Sequence, residues 1–235
     1  MSQSNLSIIL AERPTDKIIL GRTFTQKITP IPTREELRDG EILVEVLFLS
    51  IDATMRGWIE DTRSYYPPVQ VGDVMRGQSV GRVLASKSSL AQEGDFTSAN
   101  TGWTRYAIVS EGNFEPASSF LATSQPQEYL SALGITSLTA WVGMTKIGKP
   151  KPGDLVVVSG AAGATGSIAG QIAKIKGAKV IGIAGSDEKC RWLTDTLGFD
   201  LALNYKARDF KERFNKATDK LIDLYYDNGE RPVLY

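Results

Sequence analysis

The chain has 235 residues, long enough to bury a sizeable core and to form two domains. Lys plus Arg and Asp plus Glu balance at 27 each, so no net field draws it to nucleic acid or an acidic membrane surface. Histidine is absent and Cys190 is the lone cysteine, which excludes an internal disulfide, a His/Cys zinc site and any Ser-His-Asp or Cys-His mechanism within this chain.

Further exclusions follow from pattern. Apolar stretches such as Ile42 to Ile51 are short and broken by Glu45, so no membrane-spanning helix is expected. Met1 to Leu10 lacks a basic segment followed by a long apolar one, so a cytoplasmic protein without a secretory signal is the expectation. No basic run carries the interleaved aromatics that track a nucleic-acid backbone, and no Asp/Glu cluster has metal-ligand spacing. Chemistry must therefore come from a bound cofactor or from Tyr, Lys, Ser and acid side chains.

The first half reads as β-rich. Gly40 gives a turn signal before a strand over Glu41 to Ser50. Gly77 to Ala85 reads as a second strand, with Gly81 marking a bulge or a close backbone approach. Ser86 to Asp95 is a polar loop, and Gly102 to Ser110 alternates as a further strand. Ser64 to Pro68 is an irregular connection; Trp58, Tyr65 and Tyr66 near it could line a cleft or cover a core edge.

The character changes between Pro116 and Pro126. Ser124 or Gln125, then Pro126 and Glu128, signal a helix start, and helical periodicity runs to about Ile147 with a break near Gly134. Lys149 to Asp154 is a turn-rich hinge. Leu155 to Ser159 is a continuous apolar run, as a strand covered on both faces of a parallel sheet requires.

Gly160, Gly163 and Gly166 follow that strand and lead into a helix over Ser167 to Lys176, with Ile168, Ile172 and Ile175 on one face. Gly177 ends the helix, and Lys179 to Ala184 supplies the next strand. Strand, glycine turn, helix and strand make a βαβ unit of about thirty residues. Glycine suits this turn because the backbone must bend tightly, approach a pyrophosphate and let helix and strand pack closely. The helix N-terminus then offers free N–H groups and partial positive charge to phosphate. The spacing is GxxGxxG rather than GxGxxG.

NAD-selective folds place an acid at the tip of the second strand. Here the tip reads Ile183-Ala184-Gly185-Ser186. Ser186 is a good helix N-cap, and Asp187 and Glu188 suit a first helical turn. Lys189 and Arg191 do not, being cations near a positive helix end. A ribose 2′-phosphate would resolve the mismatch and favours NADPH; the alternative is that both cations point to solvent.

These residues resemble a known family. The run from Ser159 to Lys189 is similar to the zinc-independent medium-chain dehydrogenase/reductases, in the branch of leukotriene B4 12-hydroxydehydrogenase and of prostaglandin and alkenal double-bond reductases. Leu49 to Ile59, Val74 to Val83, Gly102 to Val109 and Leu138 to Gly143 match the family's landmarks in order. The resemblance implies an α/β protein: a GroES-like β-rich domain over residues 1–123, then a Rossmann doubly wound parallel sheet over residues 124–235. It places the cofactor on Gly163, Ala164, Thr165 and Gly166, with Ser186 and Lys189, with Tyr205 of Leu203 to Lys206, and with Asn228 of Tyr225 to Asn228. Tyr205 could equally pack on the core. Gln78 occupies the place of the catalytic histidine in zinc-using cousins.

Two departures stand out. Ala53 replaces the proline of the family's D-P-x-M-R, and after Gly229 the sequence leaves the family pattern and stops at Tyr235. Strands near 155–159, 180–184, 201–204 and 222–226 would then form an incomplete sheet with the fourth as an apolar edge, as in a C-terminally truncated copy. The resemblance implies an NADPH-dependent oxidoreductase that reduces the C=C bond of α,β-unsaturated ketones or aldehydes, with no residue assigned as proton donor. The alternatives are a quinone reductase or alcohol dehydrogenase of the same fold, and an inactive fragment that binds nucleotide or a partner. The expected ligand is a small enone, enal or quinone; the oligomeric state is open, a homodimer included.

Overall fold

The computed structural model describes residues 4–64, 66–116, 119, 125–219 and 221–229. They fall into two compact units, Met1–Leu130 and Ser131–Tyr235. The domain boundary expected at residues 123 and 124, and Ser124 as a helix start, lie outside the described residues; past Gln125, the alternative start, Pro126–Leu130 forms a 3-10 helix.

In the first unit, β1 (Ser4–Leu10) pairs antiparallel with β2 (Phe24–Pro30), in register from Ser4 with Pro30 to Leu10 with Phe24. Sequence reading missed this pair because β1 turns polar side chains inward. Asn5, Ser7 and Thr104 are buried, and they satisfy one another. Asn5 Nδ2 donates to the Tyr106 carbonyl at 2.9 Å, Thr104 Oγ1 donates to Asn5 Oδ1 at 3.0 Å, and Ser7 Oγ lies 2.7 Å from Thr104 Oγ1. Buried polar groups are tolerable where each finds a partner.

A four-stranded antiparallel sheet follows, in the order β5-β4-β3-β6, from β3 (Glu41–Leu49), β4 (Ser79–Ser86), β5 (Phe96–Ala99) and β6 (Tyr106–Ser110). Its core is Ile42, Val44, Val83, Ala91, Ala99, Val109 and Phe114. Gly81 makes the close approach expected of it: a β-carbon there would stand 2.3 Å from Val44 Cγ1 and 2.4 Å from the Glu45 carbonyl, next to a bulge between Val46 and Phe48. β6 starts at Tyr106 rather than Gly102, because Gly102 takes φ +71° in a turn packed on the Met75 carbonyl. β5 was not foreseen; its buried Thr97 and Ser98 hide the apolar alternation.

A short helix, α1 (Met55–Trp58), sets Trp58 against the cluster of Leu10, Met55, Ile59, Val69 and Met75. Trp58 meets Tyr66 edge-on at 6.4 Å, and the Arg76 guanidinium lies 5.5 Å and 5.4 Å from the two ring centroids. Trp58 thus covers a core edge; Tyr65 lies outside the described residues.

The second unit opens with α2 (Ile135–Val142), which continues as a six-residue π-helical stretch over Gly143–Gly148. Its sheet is parallel, in the order β10-β7-β8-β9, from β7 (Leu155–Val158), β8 (Lys179–Ala184), β9 (Leu201–Asn204) and β10 (Leu224–Tyr226). The helices α3 (Ala164–Ile175), α4 (Asp187–Asp195) and α5 (Phe210–Ala217) alternate with the strands, and β10 lies at an edge of the sheet. No helix among the described residues is long and apolar enough to cross a membrane.

The helix expected over Ser167 to Lys176 needs two corrections. It begins at Ala164, with Gly163 as its N-cap, so Gly166 belongs to its first turn rather than to the loop. Its buried face is Gly166, Ser167, Ala169, Gly170 and Ala173, whereas Ile168 and Ile172 flank that face and Ile175 is 85% exposed. Close packing requires the small residues: a β-carbon on Gly170 would stand 2.0 Å from Phe199 Cζ.

Candidate nucleotide-binding site

The chain leaves β7 through Ser159 and turns at Gly160, whose φ of +52° lies in the left-handed region that favours glycine. The Gly163 amide then donates to the Gly160 carbonyl at 2.9 Å, closing the turn just before α3. Gly166 lets α3 press onto that turn, since a β-carbon on it would stand 2.4 Å from the Gly160 carbonyl oxygen. Gly160 and Gly166 therefore answer separate steric demands. Gly163 has no side chain to cap α3, and the first intrahelical bond runs from Ser167 N to the Gly163 carbonyl at 3.0 Å. The N–H groups of Ala164, Thr165 and Gly166 are left without intrahelical partners. Gly163 and Ala164 are exposed and Thr165 is half-exposed, so the helix end faces solvent and suits an anion.

Asn228 comes to the same turn from the far end of the unit. Its carbonyl oxygen lies 2.6 Å, and its Nδ2 3.5 Å, from where a β-carbon on Gly160 would stand; Nδ2 is 3.9 Å from the equivalent point on Gly163. The structure thus brings Gly160, Gly163 and Asn228 together at the C-terminal ends of β7 and β10. Ser159, which sequence reading passed over, fixes this arrangement. Its hydroxyl donates to Asp227 Oδ1 at 2.7 Å and accepts from the Asn228 amide at 2.7 Å. The only sequence signal was a hydroxyl residue at the end of an otherwise aliphatic strand.

The C-terminal end of β8 carries the other group. Ser186 caps α4 by accepting from the Lys189 amide at 3.3 Å, with Asp187 and Glu188 in the first turn. Asn204 Nδ2 donates to Asp187 Oδ1 at 2.8 Å, tying the tip of β9 to that turn. Lys189 and Arg191 are exposed, and neither belongs to an ion pair among the described residues. Tyr205 is 47% exposed and lays its ring beside Gly185, within 3.2 Å of where a β-carbon would stand. Gly185 is a second position missed from sequence; it makes room for that ring. Burial, then the Asp187 carboxylate, push the Cys190 thiol above its ordinary range, so it is not an activated thiolate.

No group of three or more potential metal ligands occurs among the described residues. Gln78 donates from Nε2 to Ser98 Oγ at 3.0 Å. This donor set does not fit zinc. An open glycine turn at a helix N-terminus, flanked by an amide and an unpaired lysine, does fit a phosphorylated dinucleotide.

Both units match known family models. Residues 7–117 match a family model described as the N-terminal domain of oxidoreductase, and residues 164–233 match one described as zinc-binding dehydrogenase. YfmJ of Bacillus subtilis is 42% identical over 234 residues, covering 99% of this chain and 67% of YfmJ. Prostaglandin reductase 1 of Bos taurus is 41% identical over 207 residues, covering 87% of this chain and 60% of the reductase. The chain belongs to the zinc-independent medium-chain dehydrogenase/reductases, in the alkenal and prostaglandin reductase group. The crystal structure of CurA from Vibrio vulnificus in complex with NADPH superposes with a TM-score of 0.87 at 40% identity, over 97% of this chain and 66% of CurA. This medium-chain dehydrogenase/reductase has the family's β-rich N-terminal domain and parallel-sheet nucleotide-binding domain. It spans between 60% and 67% of the length of these three relatives.

Proposed function

We propose that this chain binds NADPH at the Gly160 to Gly166 turn and acts as an oxidoreductase on the C=C bond of α,β-unsaturated ketones or aldehydes. The observation that carries the reading is the open N-terminus of α3 at a turn where Gly160 and Gly166 are sterically required, with Lys189 outside any described ion pair in the first turn of α4. The family's NADPH-bound member supports the cofactor. The amides of Ala164, Thr165 and Gly166 receive the pyrophosphate, and Asn228 Nδ2 adds a donor beside them. Lys189 meets the ribose 2′-phosphate, while Ser186 holds the α4 turn that presents it. Tyr205 packs beside the adenosine. NADPH, when bound, supplies hydride to the β-carbon of the enone.

The test is to mix the purified chain with NADPH and a simple enone, follow loss of NADPH absorbance, and identify the product. A saturated ketone formed faster with NADPH than with NADH supports the proposal. NADPH consumption with a quinone but not an enone reassigns the substrate, and absence of both binding and consumption refutes the reading.

A further inference from the structure

The latch at the end of β7 goes beyond the family's glycine turn. Ser159 is fully buried, and its main chain is already committed, since its amide donates to the Tyr226 carbonyl at 3.0 Å. Its hydroxyl is used twice more, as donor to Asp227 Oδ1 and acceptor from the Asn228 amide, both at 2.7 Å. Asp227 Oδ1 also receives the Gly229 amide at 3.3 Å. One hydroxyl therefore fixes two consecutive residues of the segment that leaves β10, Asp227 and Asn228, with Gly229 held in turn by Asp227, and it does so one residue before Gly160. That segment sits on the turn, with the Asn228 carbonyl 2.6 Å from the Gly160 β-carbon position and the Asn228 amide facing Gly160 and Gly163. Asp227 Oδ1 thus takes two donors, the Ser159 hydroxyl and the Gly229 amide, which keeps the carboxylate in place at the end of β10.

We infer that Ser159 is a positioning residue for the nucleotide: it holds Asn228 over the glycine turn. The inference rests on the proposed NADPH site and acts through Asn228, not through contact with the cofactor.

The experiment is a double-mutant cycle on the full chain, with NADPH affinity as the readout: Ser159→Ala, Asn228→Ala and the double variant. Ser159→Ala should raise Kd by about tenfold, the scale of a lost oriented hydrogen bond. The double variant should bind no more weakly than Asn228→Ala, because Ser159 has nothing left to position. Ser159→Thr, which keeps the hydroxyl, should restore most of the affinity. Should Ser159→Ala not fold, Ser159→Cys retains similar volume with a weak hydrogen-bonding group and should show the same loss. Wild-type affinity in Ser159→Ala, or strictly additive losses in the cycle, overturns the inference while leaving the NADPH site standing. Failure of the wild-type chain to bind NADPH removes the site itself, and the inference with it.

Discussion

The carbonyl oxygen of Asn228 lies 2.6 Å from the point where a β-carbon on Gly160 would stand. Two strand ends thus meet at one glycine, and Gly160→Ala fails on two counts. It places a side chain at φ +52°, a conformation costing about 1–2 kcal/mol for a residue other than glycine, and it drives Asn228 off the turn. Thermal unfolding should show a Tm lower by roughly 5 °C for a chain of this size, with weaker NADPH binding. An unchanged Tm and affinity would contradict the packing.

Gly166→Ala should reverse an ordinary rule. Within a helix, Gly→Ala usually stabilises by about 1 kcal/mol. Here the new methyl would stand 2.4 Å from the Gly160 carbonyl oxygen and 2.9 Å from Ala161 Cα, both backbone atoms that cannot swing aside. A net loss of about 1–3 kcal/mol is expected, as for other overpacked sites. Gly57→Ala is the control: its β-carbon would meet open space, so denaturant unfolding should show no loss there.

Lys189→Ala should act on cofactor choice rather than on the fold, since its side chain is exposed and outside any described ion pair. NADPH affinity should fall by about tenfold, some 1.4 kcal/mol, while NADH affinity and Tm stay unchanged. Equal losses for both nucleotides would place Lys189 on the pyrophosphate instead.

Asp200 supplies a pH-dependent term. Burial alone would raise its carboxyl, but the Lys174 ammonium at 2.8 Å and the Val180 amide outweigh it and hold the group below its ordinary range. A depressed carboxyl stabilises the fold above the unfolded-state value and loses that contribution as pH falls through the folded value, below about pH 4. Asp200→Asn should therefore be less stable than wild type at neutral pH, and the gap should narrow in acid. A gap that stays constant with pH would show that the carboxylate charge does not matter.

Legibility in the sequence followed the physics of each element. β7 was readable because Leu155 to Val158 are uniformly aliphatic, as suits a strand with neighbours on either side and Val156 to Val158 buried. Ser186 was readable as a cap because its role is local, within three residues. β1 and β5 were not, since Asn5, Ser7, Thr97 and Ser98 turn polar groups inward and are satisfied by distant partners. The buried face of α3 was misplaced because small residues carry no hydrophobic signal, yet they alone fit against Phe199 and the glycine turn. Ser159 escaped for a similar reason: its partners, Asp227 and Asn228, are neighbours only once β10 pairs with β7.

The most direct test is calorimetric titration of the purified chain with NADPH, paired with thermal unfolding at increasing NADPH. The account expects saturable binding, tighter for NADPH than NADH, with Tm rising as the nucleotide concentration rises above Kd. An absence of heat and an unmoved Tm at millimolar NADPH would contradict the claim that the Gly160 to Gly166 turn is a nucleotide site.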